Sequence, residues 1–129
     1  LVTAYLDASA MVKLIVEEPD SPAMYRWYIE HAKFVTSRIG MIETRRAANR
    51  RNHAPAYLTS FLRSISVLEL DHDVAERAAS AAPVGLRTLD AIHLATALAI
   101  GSELDAFVTY DDRLAEAARA IGLPVVRPA

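Results

Sequence analysis

Thr3-Ala4-Tyr5-Leu6-Asp7-Ala8-Ser9-Ala10-Met11-Val12-Lys13-Leu14-Ile15-Val16 decides the fold. Thr3 to Leu6 reads as a short strand ending at Asp7, and Ala8 to Val16 reads as a helix that Glu17-Glu18-Pro19 stops. The far end of the chain repeats this order. Ala106-Phe107-Val108-Thr109 is a strand, Asp111 follows it, and Leu114, Ala117, Ala118 and Ile121 recur at helical spacing until Gly122. A strand that runs directly into a helix, twice, predicts an α/β chain.

The intervening segments fit that pattern. A helix begins after Asp20-Ser21 with Pro22 at its first position, where the missing N–H costs nothing. Phe34-Val35-Thr36 is a strand. Arg38 to Arg51 is a long helix with Ile39, Ile42 and Ala47 facing inward and arginines outward. Pro55 starts another helix, Val67-Leu68-Glu69-Leu70 is a strand, and Asp71 caps an alanine-rich helix ending near Pro83-Val84-Gly85. Thr88 is the expected N-cap of the next helix, Leu89 to Ile100, which is apolar on most sides and so expected to be buried. Pro124-Val125-Val126 closes the chain as an edge strand. The expectation is one domain over residues 1–129, with a central, mainly parallel, twisted sheet of about four to five strands and helices on both faces.

At 129 residues the chain is long enough to bury a real core, and 53% hydrophobic with 23% charged residues is a globular balance. It has no cysteine, which removes disulfides and thiolate metal sites and fits a reducing cytoplasm. The N-terminal run has no basic leader and does not read as a signal peptide. Leu89 to Ile100 is too short to span a bilayer. The net charge of −2 does not advertise nucleic-acid binding. However, Arg38, Arg45, Arg46, Arg50 and Arg51 gather in one segment beside His53. The guanidinium fork suits phosphate, although a solvated helix face explains such a cluster as well.

Four acids are candidates for a shared site: Asp7, Glu43, Asp90 and Asp111. Asp7 stands at the carboxyl end of a strand, the edge where open α/β sheets bind ligands, although a helix cap would also explain it. Asp90 lies in the first turn of a nearly apolar helix and needs a partner there. His93, one turn on, reads best as a satisfied core histidine. Of Asp111 and Asp112, either can cap the last helix while the other faces the site. Glu43 has the weakest local case, because Arg46 sits one turn away as an ion-pair partner. Asp71 and Asp73 also follow a strand, so position alone does not settle membership. Carboxylates brought together raise one another's pKa, and a divalent cation is the simplest resolution.

On Tyr5-Leu6-Asp7-Ala8-Ser9, Glu43 with Arg45-Arg46, Thr88-Leu89-Asp90-Ala91-Ile92-His93-Leu94-Ala95, and Val108-Thr109-Tyr110-Asp111, the chain resembles the PIN-domain family along essentially its whole length. Within that family it is similar to the VapC toxins of type II toxin–antitoxin systems. The resemblance implies a PIN-like fold and a ribonuclease that uses Mg²⁺ or Mn²⁺ and leaves a 5′-phosphate and a 3′-hydroxyl. It matches Asp7, Glu43, Asp90 and Asp111 to the acidic quartet, and Ser9 and Thr109 to polar positions beside the metal. Asp112 falls at a position that is only sometimes acidic. Asp7 and Asp90 are the expected main metal ligands, Asp111 binds directly or through water, and Glu43 orients a water or takes its proton.

The resemblance further implies an RNA substrate of transfer or ribosomal type and silencing by a cognate VapB antitoxin. A homodimer and toxin–antitoxin hetero-oligomers in the cytoplasm, with no membrane association, follow from the same source. Arg45, Arg46, Arg50 and Arg51 become RNA-backbone or antitoxin contacts. Met24, Tyr25, Trp27 and Tyr28 divide between core packing and a partner groove. Two other readings are a PIN nuclease of RNA processing and an inactive binding module. Small size disfavours the first, and the intact acidic quartet disfavours the second.

Overall fold

Five short strands form one sheet in which every neighbouring pair is parallel: β1 (Thr3–Leu6), β2 (Phe34–Ser37), β3 (Ser66–Leu68), β4 (Leu104–Val108) and β5 (Val125–Val126). The strand order is β3-β2-β1-β4-β5. The helices are α1 (Ala8–Lys13), α2 (Ser21–Ile29), α3 (Arg38–Arg50), α4 (Leu58–Arg63), α5 (His72–Ala79), α6 (Thr88–Ile100) and α7 (Asp112–Ala120). This computed structural model describes residues 3–51, 56–81 and 83–129.

Strand alternation sorts the core. Ala4, Leu6, Phe34, Ala106 and Val108 meet residues of α1, α2, α3 and α4 on one face, while Tyr5, Val35 and Phe107 meet α6 and α7 on the other. α5 packs outside, against α6. A sheet covered on both sides needs strands apolar on both sides, and all four residues of β1 are buried. The chain steps outward from β1 to β2 to β3, then returns to β4 on the opposite side of β1. The reversal creates a crevice at the carboxyl ends of β1 and β4, the place where such sheets bind ligands.

Several elements differ in detail from the sequence reading. α1 stops at Lys13, and α5 ends at Ala79, well before Pro83. α2 opens on Ser21, ahead of Pro22. β3 is Ser66–Leu68, one residue earlier, and β4 spans Leu104–Val108. Arg87, not Thr88, occupies the N-cap of α6 and makes no side-chain cap bond. His53 and the helix start at Pro55 lie outside the described residues.

The largest correction is the rotation of α3. Its buried residues are Gly40, Met41, Thr44 and Ala48, while Ile42 is exposed and Ile39 and Ala47 are half-buried. A glycine and a threonine carry the inward face because the helix must approach β2 closely. A Cβ at Gly40 would stand 2.2 Å from Thr36 Oγ1 and 3.3 Å from His93 Cε1. Thr44 remains inward because its hydroxyl donates to the Gly40 carbonyl at 2.8 Å.

Candidate active site

Asp7 leaves β1 at the crevice and is 3% exposed. Its backbone N–H still bonds the Val108 carbonyl at 3.2 Å, so the residue is fixed by both strands. Three donors clamp the carboxylate. Ser9 Oγ–H (2.6 Å) and the Ala10 N–H (2.9 Å) reach Oδ1, and Thr109 Oγ1–H reaches Oδ2 at 2.5 Å. The cap reading of Asp7 is therefore correct, and the capping carboxylate stands at the crevice end of β1. Burial nevertheless pushes the Asp7 pKa up, against the opposing pull of His93 and the three donors.

Ser9 and Thr109 hold Asp7, and their oxygens accept in turn from the Tyr110 N–H (2.7 Å) and the Asp111 N–H (3.0 Å). The loop after β4 is thereby tied to the loop after β1, with partners 102 residues apart between Asp7 and Thr109. Asp111 caps α7. The Arg113 and Leu114 N–H groups both bond its Oδ1, at 2.9 and 3.1 Å, and Oδ2 has no hydrogen bond among the described residues. Asp112 turns to Arg127 at 2.6 Å, so of the two acids Asp111 is the cap of α7.

Asp90, in the first turn of α6, is half-buried and carries no hydrogen bond from the described residues. Burial raises its pKa, and the nearby Asp111 carboxylate adds to the rise, opposed by His93, Arg87 and Arg113. Glu43 does not pair with Arg46 as its local sequence suggested. Its Oε1 accepts from His93 Nε2 at 2.8 Å, and the other ring nitrogen of His93 meets the Tyr5 hydroxyl at 2.6 Å. His93 is a satisfied buried histidine, as expected, yet it is also the bridge from Glu43 to β1. Sequence spacing had no means of showing that link, since the partners lie 50 and 88 residues away.

The donor set suits a hard, hydrated cation. It offers carboxylate oxygens without thiolates, in surroundings that already disfavour the ionised acids. Among the described residues no three His, Cys, Asp or Glu side chains stand close enough to enclose one ion. A Mg²⁺ ion needs only one or two carboxylates and keeps several waters.

The arginines of α3 separate by angle. At about 100° per residue, Arg46 and Arg50 fall on the same stripe as Glu43, whereas Arg45 projects from the far side. Arg45, Arg46 and Arg50 are exposed and have no ion pair among the described residues. Arg51 is drawn off to Glu18 at 3.4 Å, and Arg38 forks onto Glu69. Of the four apolar residues on α2, Met24 is core, Trp27 and Tyr28 pack partly against it, and Tyr25 is exposed.

Fold and site together define a parallel α/β domain with an acidic crevice at its switch point. The PIN domain family model matches residues 4–120. Ribonuclease VapC46 of Mycobacterium tuberculosis is 39% identical over 129 residues, covering 99% of both chains. Ribonuclease VapC35 of the same organism is 42% identical over 130 residues, covering 96% of each. The fold is also that of the sarcin–ricin-loop-cleaving toxin VapC20 of M. tuberculosis, with a TM-score of 0.73 at 20% identity over 97% of this chain and 99% of that one. A toxin–antitoxin complex from Klebsiella pneumoniae gives a TM-score of 0.74 at 21% identity, covering 98% of each chain. The chain belongs to the PIN-domain family, among the VapC ribonucleases.

Proposed function

We propose that this chain is a divalent-metal-dependent endoribonuclease toxin, silenced by a VapB-type antitoxin. The carrying observation is the crevice itself. A buried Asp7 is locked by Ser9 and Thr109 and held up in pKa by its burial, and at the same sheet edge the Asp111 carboxylate raises the cost of ionising Asp90. Asp7 and Asp90 would hold the ion, with Asp111 Oδ2 turned to the same use directly or through water. A bound Mg²⁺ or Mn²⁺ supplies an activated water and offsets charge developing on the phosphate.

The remaining work belongs to the chain's own groups. Glu43 has Oε1 engaged by His93, which leaves Oε2 to accept a proton from the attacking water. Arg46 and Arg50, on the stripe of Glu43, hold the RNA backbone without choosing its sequence. Arg51, already paired with Glu18, contributes less to that hold. Leu14, Tyr25, Tyr28, Tyr57, Ser60 and Phe61 line a groove of about 480 Å³ whose apolar walls suit an amphipathic segment of the antitoxin.

Antitoxin-free protein should cleave RNA with Mg²⁺ or Mn²⁺ and stop when EDTA is added. Cleavage that persists after exhaustive chelation would overturn the metal requirement. Growth arrest on expression, relieved by the cognate antitoxin, tests the toxin role.

A further inference from the structure

His93 is 3% exposed and sits where three elements converge. Its ring lies edge-on to Tyr5, with centroids 5.8 Å apart and planes at 82°, and Tyr5 stacks in turn on Phe107 at 5.1 Å. On the other side, Gly40 admits the ring, since a Cβ there would stand 3.3 Å from Cε1. The Tyr5 hydroxyl meets Nδ1 at 2.6 Å and, as a phenol, offers its proton there. An imidazole that accepts at Nδ1 carries its own proton on Nε2, facing Glu43 Oε1 at 2.8 Å. The direction of donation therefore runs from Tyr5 through His93 to Glu43.

We infer that His93 is a positioning residue. With its tautomer set by Tyr5, it fixes the rotamer of Glu43 so that the free carboxylate oxygen faces the crevice. This rests on the ribonuclease reading above and adds two residues, Tyr5 and His93, to the machinery of that site. Glu43 needs such a hold because it projects from a helix flank, half-buried, without the backbone clamp that Asp7 has. Partners placed one shell away commonly account for about 10- to 100-fold of a site's activity.

Two amide substitutions discriminate this role from simple core packing. Asn places its amide near the position of Nδ1 and can serve Tyr5. Gln reaches the position of Nε2 and can serve Glu43. His93→Asn should lower kcat for RNA cleavage by about 10- to 100-fold with KM unchanged, and His93→Gln should recover most of that loss. In the metal-free protein, ¹⁵N spectra of the His93 ring should show the proton on Nε2, and Tyr5→Phe should redistribute it between the nitrogens. Circular dichroism and thermal melts check that each variant is folded.

Equal kcat in the Asn and Gln variants, or a ring proton found on Nδ1 alone, would overturn the positioning role while leaving the ribonuclease intact. A wild-type protein that cleaves no RNA would remove the ribonuclease reading and this inference with it.

Discussion

The Asp7 corner and the outer face of α3 handle charge in opposite ways. Around Asp7 the charge is buried, every carboxylate oxygen has a named donor, and the donors come from two strand ends. On α3, Arg46 and Arg50 are in water with no ion pair among the described residues. A buried and fully bonded group resists reorganisation, which suits chemistry that needs fixed geometry. An exposed arginine adapts to a flexible polyanion and is screened by salt. On the proposed function, turnover falls to one region and capture to the other.

Substitution at Asp7 tests the first half and should have the largest effect. Asp7→Asn should reduce kcat by roughly 10³-fold or more, a loss of about 4 kcal/mol of transition-state stabilisation. It should also raise stability at neutral pH. The folded pKa of Asp7 lies above its ordinary 3.8, so the native state is favoured where the group is protonated in both states. That advantage disappears as pH rises through the folded value. Asn retains the acceptor for the Ala10 N–H and never ionises, so its melting temperature should exceed wild type at pH 7 and converge with it below about pH 4. Melts run in EDTA across that range check the sign, and adding Mg²⁺ should stabilise wild type more than the variant. A lower melting temperature at pH 7 would mean that the clamp outweighs burial.

Thr109→Val comes next. It removes the donor to Asp7 and the acceptor for the Asp111 N–H while preserving shape. The expected cost is about 1–3 kcal/mol in denaturant unfolding, together with a kcat loss of about 10- to 100-fold. Loss of stability without loss of kcat would show that Asp7 holds its geometry through Ser9 and Ala10 alone.

On α3 the effects should be smaller and of another kind. The double variant Arg46→Ala, Arg50→Ala should weaken RNA binding, leave kcat nearly unchanged, and flatten the slope of log affinity against log salt by about 1.4 on single-stranded RNA. Arg45→Ala, on the far side, should change the slope little. Arg51→Ala should do the least, because its guanidinium is already turned to Glu18 at 3.4 Å. An equal slope change at all four arginines would erase the distinction drawn here from helix angle.

Much of the fold was legible. The alternation of short apolar runs with helical periods identified the parallel sheet, and Asp7, Asp71 and Asp111 stood visibly where strands hand over to helices. The inward face of α3 was misread because Gly40 and Thr44 do not look like core, whereas Ile39 and Ile42 do. Close packing against Thr36 and His93 demanded a small residue, and hydrophobicity does not encode that demand. Glu43 entered the candidate site only through resemblance; its local neighbour Arg46 pointed to a different partner, and the structure gives it His93 instead. Which of Asp111 and Asp112 caps α7 was open in the sequence; the fold gives the cap to Asp111 and turns Asp112 to Arg127, beyond β5.

By itself, then, the sequence determined the elements, since period, capping and proline placement act within a few residues. It also set the chemical type of the candidate site, because the acids at those strand ends are hard oxygen donors. The tertiary structure alone decided the wiring: Thr109 onto Asp7, and Tyr5 through His93 onto Glu43. Those contacts join residues tens of positions apart through the strand order, and strand order is set by which faces bury together rather than by any local signal.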